Sequence, residues 1–314
     1  TIHNIQYQGK YGKELREDGL GIPGAALPLL EYDNCVNMMK GAIETANRVT
    51  TVSPTYAQEI LDPWFSHKMD TILRERSWKL SGILNGIDTE SYNPETDKDI
   101  YANYSVQDMS GKAVNKLELQ KRLNLAETPD VPLIGMVTRM VAHKGLDLVK
   151  ETLDQLMWES NIQFVILGSG DYEYETFFRE MQNKYPGRLC ACFGFVPELS
   201  RKIYAGADIF LMPSKSEPCG LSQMIALRYG TIPVVRATGG LKDSIQDSGD
   251  GEGNGFTFQS YNGGDMLYAI HRALEGYAQA DGWKILVARA MKSDNSWGRS
   301  AHDYIRMYRD MLKE

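Results

Sequence analysis

The residues with the clearest potential for chemistry lie in segment 214–221, Ser-Lys-Ser-Glu-Pro-Cys-Gly-Leu. This segment follows the apolar run 208–212 and precedes a helix-like pattern, so it predicts a loop at the carboxyl end of a buried strand. Open α/β sheets bind ligands there. The free N–H groups at a helix start favour phosphate, and the Glu217 carboxylate accepts hydrogen bonds from hydroxyls. A ligand with an anionic part and a hydroxyl-rich part fits this loop, although an ordinary Pro/Gly surface turn has the same composition.

A second candidate segment, 138–145, carries two cations on the loop predicted after the first strand of the same domain. Arg139 offers a guanidinium fork and Lys144 a point charge, and together they suit a diphosphate. The alternative is two solvated cations on an ordinary surface. The predicted position of this loop, at the ligand-binding edge of the sheet, favours the functional interpretation.

Two glycine-containing turns are further candidates. Gly168 opens an incomplete version of the Gly-x-Gly-x-x-Gly motif, which has Glu173 at its sixth position and follows the second strand rather than the first. It predicts a tight turn that a nucleotide can approach closely, not a dehydrogenase fingerprint. Thr238 and Gly239 follow the fifth strand and offer N–H groups for phosphate, with a simple glycine turn as the alternative.

An aromatic pair, Phe193 and Phe195, ends the third predicted strand. An aromatic ring here can stack on a base, and Phe195 is the candidate; core packing is the alternative, and it fits Phe193 about as well as stacking fits Phe195. Near the start of the chain, His3 follows a strand-like residue. Its imidazole is a candidate hydrogen-bond donor to a sugar or phosphate oxygen. A half-buried histidine satisfied by the backbone is its alternative. Asn85 and Gly86 form a tight turn after another apolar run.

Alternating strand and helix patterns position these loops. Strands are predicted at 133–137, 162–167, 189–193, 209–212, 232–235 and 255–258, with helices at 145–158, 172–184, 197–206 and 221–230. This alternation indicates a parallel sheet covered on both faces, and six strands match a doubly wound nucleotide-binding domain. Nearer the amino terminus, a strand at 48–53 and a helix at 55–61 indicate part of another such unit.

Composition sets the broad class. The chain has 314 residues, which suits about two domains. Its net charge of −7 argues against a broad basic surface for nucleic acid. Its four cysteines lack metal-ligand spacing and fit a reducing compartment. No apolar run is long enough to predict a membrane span. Residue 1 is Thr1, directly followed by Ile-His-Asn, so we expect the sequence to be the interior of a longer chain.

These segments together resemble bacterial glycogen synthase and plant starch synthase. The motifs that carry the resemblance are Thr-Ile-His-Asn at 1–4, Leu-Asn-Gly-Ile-Asp at 84–88, Thr-Arg-Met-Val-Ala-His-Lys-Gly at 138–145, the segment 214–221, Thr-Gly-Gly-Leu-Lys-Asp at 238–243 and Ser-Trp at 296–297. The resemblance implies an α/β protein with the B-type glycosyltransferase fold, two Rossmann-like domains facing a cleft. It implies transfer of glucose from ADP-glucose to the non-reducing end of an α-1,4-glucan, with retention of configuration and with neither metal nor cofactor.

The resemblance also implies roles for individual residues. Arg139 and Lys144 would hold the diphosphate and stabilise the departing ADP, and Glu217 would contact the donor glucose hydroxyls. The resemblance would place His3 near the 6-hydroxyl, Asn85 beside it, Phe195 near the adenine, and Gly220 and Leu221 near the phosphate or ribose. The remaining predicted donor-binding residues are Gly168, Cys219, Thr238 and Gly239.

Family members carry a Lys-x-Gly-Gly-Leu loop that this sequence lacks, so we expect an incomplete N-terminal domain. The predicted domains are 1–85 plus 297–314, and 86–296. Such a fragment is expected to bind ADP weakly, to transfer little glucose and to self-associate through exposed apolar surface. A cytoplasmic location is expected in a bacterium, or a plastid in a plant. The alternatives are a UDP-glucose-using or other-acceptor transferase, and a non-catalytic ADP- or glucan-binding fragment.

Overall fold

The structure, a computed structural model, describes residues 1–15 and 19–313 and divides into two units. The first unit is Thr1–Leu84 and the second is Asn85–Glu314. Across the described residues, none of the helices combines the length and apolar character needed to cross a membrane. The predicted assignment of 297–314 to the N-terminal domain stays a prediction.

Short elements build the first unit. Its strands are β1 (Lys10–Tyr11), β2 (Glu31–Tyr32), β3 (Cys35–Asn37), β4 (Val49–Thr51) and β5 (Leu80–Gly82). Its helices are α1 (Leu27–Leu30), α2 (Met38–Thr45), α3 (Pro54–Glu59) and α4 (Asp70–Glu75), with 3-10 turns at Gly24–Ala26 and Ser77–Lys79. Strands β4 and β5 are parallel, and Ile2 forms a parallel bridge to Thr51, which confirms the strand predicted at 48–53.

Local sequence explains where the helices of the first unit begin. The Asn37 side chain accepts a hydrogen bond from Lys40 N at 3.0 Å and caps α2. Ser53 caps α3 in the same way, at 3.2 Å from Tyr56 N, and Pro54 occupies the first helical position. The antiparallel sheet, in the order β1-β3-β2, was not predicted, because strands of two or three residues carry no readable alternation.

A six-stranded parallel sheet forms the centre of the second unit. Its strands are β6 (Leu133–Val137), β7 (Gln163–Gly168), β8 (Leu189–Phe193), β9 (Ile209–Met212), β10 (Ile232–Arg236) and β11 (Phe256–Phe258). All six agree with the predicted strands to within one residue at each end. Strands β6, β7 and β9 are almost fully buried, as their continuous apolar sequences require of strands covered on both faces.

The strand order is β11-β10-β9-β6-β7-β8, which is the doubly wound Rossmann order. The order reverses between β6 and β9, so the loops after these two strands diverge around a crevice at the carboxyl edge of the sheet. The segments 138–145 and 214–221 are these two loops. The predicted placement of the two candidate segments is therefore confirmed.

Helices cover both faces of this sheet. They are α5 (Ser110–Arg122), α6 (Leu146–Glu159), α7 (Tyr172–Lys184), α8 (Pro197–Gly206), α9 (Ser222–Arg228), α10 (Gly239–Ser244), α11 (Gly263–Ala278), α12 (Ala280–Met291) and α13 (Trp297–Met311), with 3-10 turns at Ala142–Lys144 and Ser248–Asp250. On one face, Leu119 of α5 and Ile203 of α8 pack with Leu133 and Val165 of the sheet in one buried cluster. This packing holds α8 and its amino end in register with the strand ends.

Candidate functional site

A cavity of about 430 Å³ lies at the carboxyl edge of the six-stranded sheet. The ends of β6, β7 and β8 and the amino ends of α8 and α9 form its walls. Its lining residues are Tyr92, Val137, Thr138, Arg139, Leu167, Gly168, Ser169, Gly194, Phe195, Val196, Pro197, Ser200, Tyr204, Leu221, Ser222 and Ile225. Four of the residues predicted from sequence are therefore brought together here: Arg139, Gly168, Phe195 and Leu221.

The two central candidates of the neighbouring loops contact each other directly. Lys144 Nζ lies 2.6 Å from Glu217 Oε2, and Ser214 Oγ donates to the same oxygen at 3.0 Å. The Glu217 side chain is 8% exposed and that of Lys144 is 16% exposed. A carboxylate so poorly solvated needs a cation partner, and Lys144 supplies it. The pair therefore joins the loop after β6 to the loop after β9 at the reversal point.

A histidine between the two cations experiences both charges. Arg139 is exposed, and its Nη2 lies 3.5 Å from His143 Nε2. Burial, followed by the charges of Lys144 and Arg139, lowers the pKa of His143 below its ordinary value. At His143 the two cations therefore outweigh the carboxylates of Glu217 and Asp171, which act in the opposite direction.

Two glycines allow these loops to approach. A Cβ at position 168 would stand 1.8 Å from Thr138 O, so only glycine permits the ends of β6 and β7 to lie this close. Gly145 has φ +76°, and a Cβ there would stand 2.0 Å from Pro213 O. The loop that carries Lys144 can therefore lie directly against the loop that carries Glu217.

The remaining predicted residues of the second unit lie on the loop of Glu217 or on segments hydrogen-bonded to that loop. Gly240 N donates to Glu217 O at 3.1 Å, which joins the start of α10 to the loop after β9. The backbone of Asn85 hydrogen-bonds to the buried Cys219 thiol, whose pKa burial raises to about 11. Gly220 and Gly239 both have positive φ, at +69° and +44°. Thr238 is buried at the amino end of α10.

His3 lies in the first unit, directly after the Ile2 bridge to Thr51. It is exposed, whereas its neighbours Ile2 and Ile5 are buried in the core of that unit. The alternative of a half-buried histidine is therefore wrong. The roles predicted for His3 and for each residue above stay predictions.

The cavity also contains residues that sequence reasoning missed. Tyr92 comes from the polar connection after the first unit and lies beside Tyr204 in the lining. Arg201 holds this connection, because its guanidinium stacks 4.4 Å from the Tyr92 ring centroid and donates to Ser91 O at 2.6 Å. The tyrosine-rich composition of segment 89–112 was the only available signal, and it does not indicate which ring enters the cavity.

The arrangement supplies three kinds of interaction within one edge of the sheet. Cations and the amino ends of helices suit phosphate oxygens. The 92% exposed Phe195 ring suits a flat base. The Glu217 carboxylate accepts hydrogen bonds from hydroxyls while it remains paired with Lys144. These are the requirements of a nucleotide-sugar site.

Comparison with known proteins agrees with this geometry. The family profile described as "Glycosyl transferases group 1" matches residues 118–285, more than half of the chain, and "Starch synthase catalytic domain" matches residues 1–75. The chain belongs to the group 1 glycosyl transferases. This glycosyl transferase is 50% identical over its whole length to the glycogen synthase of Geobacillus thermodenitrificans (strain NG80-2). It is 48% identical to that of Bacillus cereus (strain ATCC 10987 / NRS 248), again over its whole length.

Solved structures show the same fold. The catalytic domain of starch synthase IV from Arabidopsis thaliana, bound to ADP and acarbose, matches 99% of this chain with a TM-score of 0.91 and 38% identity; the match covers 66% of that domain. Sucrose-phosphate synthase from Thermosynechococcus elongatus shares the fold at 20% identity, with a TM-score of 0.58, over 86% of this chain and 60% of its own. The predicted B-type glycosyltransferase fold and the resemblance to glycogen and starch synthases are confirmed. The chain spans 65% of the length of the Geobacillus relative and 66% of the Bacillus relative.

Proposed function

We propose that this group 1 glycosyl transferase acts in glycogen synthesis, transferring glucose from ADP-glucose to the non-reducing end of an α-1,4-glucan with retention of configuration. The observation that carries the proposal is the contact between Lys144 and Glu217 beside a cavity that contains Arg139 and Phe195. The identity of 50% to a glycogen synthase supports the same reaction. The ADP named with the starch synthase structure favours adenine as the donor base.

Each group has a physical task in this proposal. Arg139 and Lys144 bind the donor diphosphate and neutralise the negative charge that grows on it as the glucosyl bond breaks. Glu217 accepts hydrogen bonds from the glucose hydroxyls, which orients the sugar relative to the diphosphate. Because Lys144 already contacts Glu217, its ammonium group can donate to the carboxylate and to a phosphate oxygen at once. Phe195 stacks on the base.

Binding measurements on the 314-residue chain separate these tasks. We expect Arg139→Ala and Lys144→Ala to weaken the binding of both ADP and ADP-glucose at least about tenfold, the loss typical of a charge-assisted contact of ~1.5–3 kcal/mol. Glu217→Ala should weaken ADP-glucose more than ADP, because only the former has the sugar. Glu180→Ala, on the exposed face of α7, is the matched control. Equal loss of both ligands in Glu217→Ala would contradict the assignment of Glu217 to glucose.

Donor choice distinguishes the proposal from a UDP-glucose-using transferase. Titration with ADP, UDP, ADP-glucose and UDP-glucose should rank the adenine nucleotides as the tighter ligands. We expect replacement of Phe195 by Ala to reduce this preference, since stacking on a base contributes about 1–3 kcal/mol. Tighter binding of the uridine nucleotides would favour the alternative donor.

Turnover distinguishes an enzyme from a binding fragment. Because the chain spans 65% of its Geobacillus relative, we expect ADP binding but near-background incorporation of glucose into glycogen by the 314 residues alone. Robust incorporation by this chain would contradict that expectation. Fusion to the part of the relative that this chain does not match should restore transfer. Incorporation that stays at background in the folded, ADP-binding fusion would favour a non-catalytic module.

A further inference from the structure

A second cavity, of about 470 Å³, lies at the amino edge of the same sheet, opposite the donor cavity. We call it the amino-edge cavity. The helices α5 and α12, the end of α11 and the chain around Asp208 enclose it. Its lining residues are Val106, Gln107, Met109, Lys112, Ala113, Lys116, Pro129, Gly206, Asp208, Tyr277, Trp283, Lys284, Val287 and Ala288. Its volume lies in the range of small-molecule sites.

One side of the amino-edge cavity is apolar and aromatic. The Trp283 and Tyr277 rings meet edge to face, with centroids 5.3 Å apart, so each ring is held by the other. Met109 and Val287 add aliphatic surface. A rigid aromatic wall with aliphatic neighbours fits a flat apolar group.

The other side of the amino-edge cavity is lined by basic side chains. Three lysines and one aspartate line it, and the aspartate is already engaged: Asp208 Oδ2 accepts from Lys116 Nζ at 2.7 Å and from Leu133 N at 2.9 Å. Burial alone would lower the pKa of Lys116, but Asp208 and the Tyr277 hydroxyl raise it above its ordinary value. Lys284, at the rim, is 78% exposed and forms a long ion pair with Asp281, at 3.8 Å. Lys112 and Lys116 already donate to protein acceptors, so Lys284 is the lysine of this lining that is available to an anionic group.

Lys112 connects this cavity to the donor cavity. Its Nζ donates to Ala205 O at 3.1 Å and Ala207 O at 3.0 Å, at the carboxyl end of α8. It also donates to Tyr229 O, at the carboxyl end of α9, at 3.0 Å. The amino ends of the same two helices line the donor cavity, through residues such as Pro197 and Ser222. Two rigid helices, the longer spanning about 15 Å at 1.5 Å per residue, thus run from one cavity to the other.

We propose that the amino-edge cavity is an effector site for a small amphipathic monoanion, which places a ring system against Trp283 and its anionic group near Lys284 and changes donor affinity through Lys112, α8 and α9. The proposed binding of the anion depends only on the cavity. The proposed change in donor affinity rests on the proposed function of the donor cavity. Burial lowers the pKa of Lys112 to about 7, so a bound anion also favours the protonated lysine that holds both helix ends.

Anilinonaphthalene sulfonate is a suitable probe, because it joins an aromatic body to one negative charge and fluoresces in apolar sites. Its uncharged parent, phenylnaphthylamine, tests the need for the anion. Ala113→Trp fills the cavity from an exposed position of α5, and Lys284→Glu reverses an exposed rim charge, so neither disturbs the core. Lys121→Glu, also exposed on α5 but outside the lining, is the matched control.

We expect the folded 314-residue chain, saturated with ADP, to bind the sulfonate. Ala113→Trp should weaken both dyes at least about tenfold, while Lys284→Glu should weaken the sulfonate about threefold or more and leave the uncharged dye unchanged. Lys121→Glu should behave as the unchanged chain. Wild-type sulfonate binding by Ala113→Trp, or competitive displacement of the dye by ADP, would overturn the site.

Coupling has its own readout. If the site controls the donor cavity, ADP and the sulfonate change each other's Kd by the same factor, because coupling between sites is reciprocal. We expect a factor of about five, the lower end of the usual range. Binding of the dye with no change in the Kd for ADP would overturn the effector role and leave the donor site untouched. Absence of ADP binding in the unchanged chain would instead contradict the proposed function.

Discussion

The two edges of the six-stranded sheet use buried lysines in opposite ways. At the amino edge, Lys116 binds Asp208 and also donates to Pro129 O at 2.7 Å and the Tyr277 hydroxyl at 3.0 Å. At the carboxyl edge, Lys144 contacts Glu217 alone among the partners the structure describes for its ammonium group. The first lysine has partners for all three protons, whereas the second keeps donor capacity for a ligand.

This difference shows how the same pair of residue types serves structure or binding. A lysine whose three protons are all engaged stabilises the chain around it and has little to offer a phosphate. Lys144 contacts one carboxylate and lies near the cation Arg139. Its ammonium group can therefore bind a second anionic partner without losing the first. Substitutions at the two edges should therefore separate loss of stability from loss of affinity.

The largest expected effect on stability is at the amino edge. Replacement of Lys116 by Met removes the cation that contacts the mostly buried Asp208 carboxylate and removes the donors to Pro129 O and the Tyr277 hydroxyl. We expect the free energy of unfolding to fall by about 3–5 kcal/mol, the usual cost of breaking a buried pair. Lys144→Met should cost less, about 1–3 kcal/mol, because it removes the single described contact of the Lys144 ammonium group, whereas Lys116→Met removes three. Urea denaturation measures both.

Ligand affinity should show the reverse order. Lys144→Met should reduce ADP affinity more than Lys116→Met does in the folded fraction, measured by calorimetric titration. Lys121→Met, on the exposed side of α5, serves as the control and should stay within about 0.5 kcal/mol of the unchanged stability. If Lys116→Met proved the more damaging to ADP binding, the contrast between the two edges would be wrong.

The next largest effect is expected where the ends of β6 and β7 lie close together, at Gly168. In Gly168→Ala the new Cβ would stand 1.8 Å from Thr138 O, so the two strand ends must separate. We expect a loss of about 1–3 kcal/mol in stability, as for other overpacked sites, together with about tenfold weaker ADP binding. Gly264→Ala is the control, because its Cβ meets only Asn262 Oδ1, at 3.4 Å. Similar losses of stability and ADP affinity in Gly168→Ala and Gly264→Ala would contradict the requirement for a glycine where β6 and β7 approach.

The smallest effect is a change in the pKa of His143. Burial and, after it, the charges of Lys144 and Arg139 hold this pKa down, so a bound diphosphate that neutralises the cations should raise it. By linkage, ADP binding should strengthen as the pH falls through the pKa of the complex. NMR titration of the imidazole signals with and without ADP measures the shift, with His271 on α11 as an internal reference. A fall in the pKa on ADP binding would place the diphosphate away from Lys144.

Several features of the fold were readable because they are local. The buried runs at β6, β7 and β9 predicted the strands, and Pro197 marked the start of α8. The carboxyl edge of the sheet followed from the strand and helix alternation, and Arg139 and Phe195 both lie on loops at this edge, in the lining of one cavity. The antiparallel sheet of β1 to β3 was missed because its strands are too short to show an alternating pattern, and the short helix α4 (Asp70–Glu75) was also not predicted.

The sequence by itself determined the six strands, their connection by helices and the residue types on the loops at the carboxyl edge, since hydrophobic period and turn composition are encoded within a few neighbouring residues. Only the tertiary structure decided that Lys144 binds Glu217, 73 positions away, that Tyr92 enters the cavity and that Lys112 joins the ends of two helices. These contacts depend on how separate loops and helix ends meet in space, and no local pattern records a distance between segments that meet only after the sheet has formed.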